Sequence, residues 1–122
     1  MVNADASGSP SADPDKQAGD LWQEAVRTGK NPLPMRALQI ETSSICNFRC
    51  DSCPLSVPEY DRPQKHMSVE DFRRILDAFP TVEKIELQGL GEVFLNPCVM
   101  DIIREASGRA LAVHTFSNAS KI

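Results

Sequence analysis

Apolar residues follow two different spacings along most of the chain. Three short stretches are rich in apolar residues and lie between longer segments in which apolar residues recur every three or four positions. The first spacing is typical of strands and the second of amphipathic helices. Strands are predicted at 36–42, 82–89 and 110–116. One helix is predicted to open at Ser68, with Asp71 three residues on as in a capping box, and the next at Asn96 and Pro97.

The order strand, helix, strand, helix, strand predicts an α/β fold with parallel strands and right-handed crossovers. In such sheets and barrels the loops after the carboxyl ends of the strands form the site. Three segments follow the predicted strands: "CNFRCDSCP" (46–54), "GLGE" (89–92) and "SNAS" (117–120). The sequence therefore predicts that these three loops meet at one rim.

The segment before the first strand has a different character. Residues 1–18 are rich in Ala, Ser, Asp, Pro and Gly, and such a composition predicts a disordered tail. Residues 19–35 are expected to hold a short helix, with Asp20 as N-cap and Gly29 as its stop, followed by a linker. Residues 36–122 form the main domain, and 122 residues in all leave room for one ordinary domain.

Composition and charge narrow the classes of function. The net charge of −4 gives no electrostatic reason to expect a nucleic-acid or membrane-surface partner. No apolar run approaches the ~20 residues that a membrane span needs, and the polar start does not resemble a secretory signal. A cytoplasmic, reducing location is expected, in which clustered cysteines are more often metal ligands or catalytic groups than disulfides.

Three of the four cysteines, Cys46, Cys50 and Cys53, form a C-x3-C-x2-C pattern. Thiolates suit zinc, copper(I) and iron–sulfur clusters. A structural zinc site needs a fourth ligand, and the remaining Cys98 is remote and is interpreted as a buried thiol. A 4Fe–4S cluster held by three cysteines leaves one iron open to a small molecule, which explains the odd number.

The cysteine pattern resembles the signature of the radical S-adenosylmethionine (radical SAM) enzymes. "LQGLGEVFLNP" (87–97) resembles their glycine–glutamate motif, which also follows the second strand. "LQIETSSICNFRC" (38–50) resembles the peptide-modifying subgroup, whose members often carry a C-terminal SPASM domain. The resemblance covers roughly residues 36–118 and implies the N-terminal half of a partial (β/α)6 TIM-like barrel, truncated after the third strand.

The resemblance also implies a mechanism. Cys46, Cys50 and Cys53 would hold three irons of the cluster, and SAM would chelate the fourth. An electron from a donor such as flavodoxin or ferredoxin would cleave SAM to a 5′-deoxyadenosyl radical, which takes hydrogen from a peptide or small-metabolite substrate. A non-catalytic iron–sulfur or zinc-binding module is the alternative, and "GLGE" argues against it because such a module needs no SAM ligand.

Five further residues are carried over to the SAM site by the same resemblance. Glu92 would bind the SAM amino group from an open rim, while Gly89 and Gly91 would let the backbone approach the methionine moiety. Ser52 precedes the third cysteine, where this family often has an aromatic residue, and would lie next to the adenine of SAM. Asn118, in a degraded form of a "TNG" motif, either approaches SAM or substrate or is a plain turn residue, and the turn is favoured.

Glu41, at the end of the first strand, is not part of that motif set. Its position would let it point into the site, but a solvated or salt-bridged role is favoured for this carboxylate.

Overall fold

The structure, a computed structural model, describes residues 14–30 and 33–122. The chain divides into two compact units, with the boundary between Pro34 and Met35. The first unit contains one described helix, and the second contains the sheet and the candidate site.

Helix α1 spans Pro14–Thr28. The predicted N-cap at Asp20 is wrong, because the helix begins at Pro14 and runs through Asp20; proline is well suited to a first helical position. Of the predicted disordered tail, residues 14–18 are helical and residues 1–13 lie outside the described residues. The predicted stop is confirmed: Gly29 has a left-handed φ of 68° and its N–H donates to the Ala25 carbonyl at 2.9 Å.

The second unit is built on a three-stranded parallel sheet in the order β1-β2-β3. The strands are β1 (Ala37–Ile40), β2 (Lys84–Leu87) and β3 (Ala112–Thr115). Helix α2 (Val69–Ala78) connects the first two strands, and helix α3 (Val99–Gly108) connects the second and third. The predicted α/β class and the parallel sheet are confirmed, and the arrangement is consistent with part of a (β/α) barrel.

The two faces of this sheet differ in polarity. Ile40, Ile85 and Leu87 are buried in a core that also contains the apolar faces of α2 and α3. The opposite face carries polar residues, and the strand register aligns Gln39, Glu86 and His114 in one row. Burial of the helix-covered face thus stabilises the unit, while the opposite face is polar.

Helix α2 begins as predicted, because the Ser68 hydroxyl accepts the N–H of Asp71 at 3.1 Å. Helix α3 begins at Val99, two residues after the predicted start at Pro97, although the Asn96 side-chain oxygen accepts the N–H of Cys98 at 2.8 Å. Asn96 is also buried: its amide donates to the Thr42 carbonyl at 2.7 Å and the Met67 carbonyl at 2.9 Å. This asparagine therefore ties the start of α3 to both ends of the cysteine loop.

No helix in the described part of the chain combines the length and apolar character that crossing a membrane requires.

Candidate functional site

The loops after the carboxyl ends of the three strands meet at one rim, as the topology requires. The loop after β1 contains the three clustered cysteines, the loop after β2 contains Glu92, and the loop after β3 contains Asn118. Each of these loops is hydrogen-bonded to at least one of the others, so the three loops form one continuous rim.

The cysteine loop leaves and re-enters the core through two paired legs. The Ser44 N–H donates to the Lys65 carbonyl at 2.9 Å, and the Met67 N–H donates to the Thr42 carbonyl at 2.8 Å. Between these legs the chain is mostly exposed, with a short 3-10 turn at Pro54–Ser56. The loop is therefore fixed at its base and open along its length.

All four cysteines are free thiols. Cys46 and Cys53 are half-buried and Cys50 is exposed. The Phe48 N–H points to the Cys46 sulfur at 3.4 Å, and the Cys53 N–H donates to the Cys50 carbonyl at 2.9 Å. Free, accessible thiols on one loop are the donor set that an iron–sulfur cluster needs.

The side chains are not arranged as an assembled metal centre. Within residues 14–30 and 33–122, no group of three or more His, Cys, Asp or Glu side chains is placed to hold a metal ion. The fit to a cluster is thus one of chemistry and sequence spacing: three soft ligands within one exposed loop, with no competing disulfide.

Glu92 is buried, with 3% of its surface exposed. One carboxylate oxygen accepts the Ser117 hydroxyl at 2.7 Å and the Phe94 N–H at 3.1 Å, and the other accepts the Asn118 N–H at 2.7 Å. The sequence predicted a carboxylate that faces an open rim; in the structure it joins the loop after β2 to the loop after β3.

Burial and hydrogen bonding act on the Glu92 pKa in opposite directions. Burial acts to raise it, but the hydrogen bonds from Asn118, Ser117 and Phe94 favour the ionised form, and the net pKa is lowered from the ordinary 4.5. Glu92 is therefore a carboxylate at neutral pH in spite of its burial.

Gly91 is required by close backbone packing. A Cβ at this position would lie 1.9 Å from the Ser43 carbonyl oxygen and 2.6 Å from its carbon. The next residue, Glu92, donates its N–H to the Ile45 carbonyl at 2.8 Å. The loop after β2 thus lies directly against the chain that leads into Cys46.

Glu41 forms an ion pair with Arg62, and both side chains are about three-quarters buried. Its carboxylate also accepts the N–H groups of Leu90 at 2.7 Å and Gly91 at 3.2 Å. Burial acts to raise the Glu41 pKa, while Arg62 and the two amides lower it by more, so the net pKa is lowered. The favoured salt-bridged role of Glu41 is confirmed.

Asn118 lies beside the first cysteine. Its amide donates to the Asn47 side-chain oxygen at 3.1 Å and lies 3.9 Å from the Cys46 sulfur. Asn47 in turn donates to the Ser120 hydroxyl at 2.8 Å. The loop after β3 is therefore held against the start of the cysteine loop.

The structure brings together some of the predicted residues and leaves others apart. Cys46, Gly91, Glu92 and Asn118 are joined by direct contacts or through their immediate neighbours. Cys50 and Ser52 are exposed on the outer part of the cysteine loop, and Gly89 is exposed at the end of β2.

Two residues of the rim, Arg62 and Ser117, are not among those that the sequence predicts. Their partners, Glu41 and Glu92, lie 21 and 25 positions away in the chain. No local pattern marks such contacts, since they depend on how the loops fold back on one another.

An open cleft of about 550 Å³ borders this rim. It is lined by Gln39, Glu41, Arg62, Gln88, Gly89 and Leu90. The cleft therefore combines polar side chains at the ends of β1 and β2 with the backbone of the glycine-containing loop.

Three curated proteins match this chain with significance, among them the following two. A tungsten-containing aldehyde ferredoxin oxidoreductase cofactor-modifying protein of Pyrococcus furiosus is 32% identical over 89 residues, which cover 70% of this chain and 24% of that protein. A GTP 3′,8-cyclase of Edwardsiella ictaluri is 38% identical over 89 residues, which cover 64% of this chain and 26% of that protein. The chain thus spans about a quarter of the length of these relatives.

No family model matches the chain, and no solved structure matches it with significance. The two relatives carry the assignment, together with the cysteine pattern and the parallel α/β fold. Neither relative supports the SPASM-type subgroup that the sequence resembles. These similarities support placing the chain in the radical SAM superfamily, at the level of the superfamily alone.

Proposed function

We propose that this chain contributes the cluster-binding and SAM-binding part of a radical SAM enzyme. The observation that carries the proposal is the meeting of the cysteine loop and the glycine–glutamate loop at one rim, where Gly91 packs on Ser43 and Glu92 bonds to Ile45. A module that only bound metal would have no need to hold this second loop against the cysteines.

Cys46, Cys50 and Cys53 would ligate a 4Fe–4S cluster through three of its irons. When bound and reduced, the cluster supplies the electron for the reductive cleavage of SAM. The backbone N–H of Phe48, which points to the Cys46 sulfur at 3.4 Å, would stabilise negative charge on that thiolate.

Glu92 would bind the SAM amino group through the acceptor capacity that remains on its second oxygen. A carboxylate has about four acceptor positions, and three donors from the protein reach Glu92. The three protein donors would hold the carboxylate in one orientation, and an ammonium would add a charge-assisted bond. Gly89 and Gly91 would let the backbone approach the methionine moiety, with Ser52 beside adenine and Asn118 near the first cysteine.

The substrate would be a peptide or small metabolite that gives up a hydrogen atom, and the electron donor a small protein such as flavodoxin or ferredoxin. The proposed location is the cytoplasm, a reducing compartment in which the cysteine thiols stay free.

The proposal is tested by anaerobic reconstitution with iron and sulfide. We expect about four irons per chain, and we expect them to be lost when Cys46, Cys50 or Cys53 is replaced by Ala. Cys98→Ala is the matched control and should keep its iron, because this thiol packs against the core. Stoichiometric zinc with no uptake of iron would instead support a metal-binding module without SAM chemistry.

SAM binding is tested on the reconstituted protein by electron paramagnetic resonance with and without SAM. We expect SAM to change the spectrum of the reduced cluster, and 5′-deoxyadenosine to form under reducing conditions. If SAM does not change the spectrum of the reduced cluster, the SAM-binding part of the proposal is contradicted and the cluster-binding part is not.

A further inference from the structure

The carboxylate of Glu41 accepts hydrogen bonds from three groups, two in the loop after β2 and one on the return side of the cysteine loop. One oxygen accepts the N–H groups of Leu90 at 2.7 Å and Gly91 at 3.2 Å, and the other accepts the guanidinium of Arg62. Arg62 also reaches the first oxygen at 3.3 Å. Both oxygens are therefore occupied by protein donors.

This ion pair is partly withdrawn from water. The Glu41 side chain is 27% exposed and the Arg62 side chain 24% exposed. Exposed pairs contribute little because water screens them, whereas charge-assisted hydrogen bonds at partly buried groups are stronger than neutral ones. The pair is thus placed where it can fix the position of the amides it contacts.

Gly89 provides the space for this arrangement. A Cβ on Gly89 would lie 2.4 to 2.5 Å from the Cγ, Cδ and Oε1 atoms of Glu41. The first glycine of "GLGE" therefore leaves room for the Glu41 side chain to reach the two amides that follow.

Three successive peptide groups of the loop after β2 are fixed in this way. The N–H groups of Leu90 and Gly91 donate to Glu41, and that of Glu92 donates to the Ile45 carbonyl at 2.8 Å. Their orientation determines which backbone groups of this loop remain free for a ligand.

We propose that Glu41 is a positioning residue that holds residues 89–92 in the conformation that binds SAM, with Arg62 keeping its carboxylate in place. The part that concerns SAM rests on the function proposed above. The geometry assigns Glu41 a positioning role because its carboxylate binds two backbone amides of the loop after β2 directly.

The hold on the loop is tested first in the cluster-free chain, by amide hydrogen exchange. Glu41→Gln should speed exchange in peptides that cover residues 88–92 by about tenfold, because a charge-assisted hydrogen bond is replaced by a neutral one. Peptides that cover α3 (Val99–Gly108) should exchange at the wild-type rate. Exchange that rises everywhere, or does not rise at 88–92, would overturn the proposal.

Glu83→Gln is the matched control. Glu83 also pairs with an arginine, Arg36, but this pair is about two-thirds exposed, and no loop amide is among the donors that the described residues give to the Glu83 side chain. Arg62→Met is the second variant, in case Glu41→Gln fails to fold. It keeps the carboxylate and should speed exchange at 88–92 by about threefold.

The functional consequence is tested by SAM affinity of the cluster-loaded chain. Glu41→Gln should weaken SAM binding by about tenfold at unchanged iron content, while Glu83→Gln should bind as the wild type does. Faster exchange at 88–92 with unchanged SAM affinity would overturn the role in binding. If the wild type itself does not bind SAM, the function proposed above fails, and the exchange data alone decide whether Glu41 holds the loop.

Discussion

The loops that follow β1 and β2 are built in opposite ways. The first is long, has backbone pairing between its two legs, and leaves Cys50 exposed at its outer part. The second is short and buries Glu92, Val93 and Asn96. The loop with the thiols has little packing of its own, whereas the loop with the carboxylate is part of the core. Few packed contacts mean low local stability, so the protein supports a loosely held loop with a firmly held one.

The largest effect is expected from the closest contact in the firmly held loop. Gly91→Ala places a Cβ 1.9 Å from the backbone oxygen of Ser43, and a backbone atom cannot move aside as a side chain can. We expect a loss of about 3 kcal/mol or more in the free energy of unfolding. Urea unfolding followed by circular dichroism measures it.

Gly108→Ala is the control for this substitution. A Cβ at Gly108 meets no atom within 4 Å, and the residue lies at the end of α3. Helix propensity then predicts no loss, and a gain of up to about 1 kcal/mol. Equal effects of the two substitutions would show that the contact between Gly91 and Ser43 does not cause the loss.

The next effect concerns the buried carboxylate. Glu92→Gln weakens three hydrogen bonds at a side chain that is 3% exposed. We expect a loss of about 2 kcal/mol in the free energy of unfolding at pH 7. Glu70→Gln, which affects an exposed pair with Arg74, should change it by less than about 0.5 kcal/mol.

The same carboxylates make stability depend on pH. The pKa values of Glu92 and Glu41 are lowered in the folded protein, so their contribution is complete above the ordinary value of 4.5. It is lost as the pH falls from there through the lowered folded values. We expect the wild type to lose stability below about pH 4.5 more steeply than Glu92→Gln, which thermal unfolding at a series of pH values measures. Parallel curves for the two proteins would contradict this assignment.

A smaller change of opposite sign is expected at Thr42. Its hydroxyl is buried and has no hydrogen-bond partner among residues 14–30 and 33–122. An unsatisfied buried polar group is costly, so Thr42→Val should raise the free energy of unfolding by about 1 kcal/mol. A loss of stability would show that this hydroxyl has a partner in solution.

The smallest effect on stability is expected in the cysteine loop. Cys50 is exposed, and its thiol takes part in no core packing. Cys50→Ala should change the free energy of unfolding of the cluster-free chain by less than about 0.5 kcal/mol. The same substitution should abolish the uptake of iron. Cys50 would then be needed for iron binding but not for the stability of the fold, in contrast to Gly91 and Glu92.

The parts of the fold that the sequence predicts are those set by local pattern. The Ser68 cap, the three strands and the stop at Gly29 depend on residues within a few positions of one another, and all are observed. Asn96 shows the limit of such patterns. Next to Pro97 it is predicted as a helix cap, and its side-chain oxygen does accept the Cys98 N–H. Its amide also donates to the Thr42 and Met67 carbonyls, 54 and 29 positions away, which no local pattern predicts.

The same limit applies to the site. The cysteine spacing and "GLGE" are visible in the sequence, and the parallel topology brings their loops together. The burial of Glu92 is not visible, because it follows from Ser117 and Asn118 folding over the carboxylate. The pairing of Glu41 with Arg62 likewise depends on the return path of the cysteine loop.

The two unlike faces of the sheet have a consequence for how this sequence tolerates insertions and deletions. In β2, Ile85 and Leu87 enter the core while Lys84 and Glu86 point to the polar face. Because side chains alternate along a strand, a shift of one residue would exchange the two sets. It would place an ion pair among the apolar side chains of α2 and α3. Length changes should therefore be tolerated best in the exposed chain after Cys53, residues 57–61. The insertion or deletion of one residue within β2 should unfold the unit.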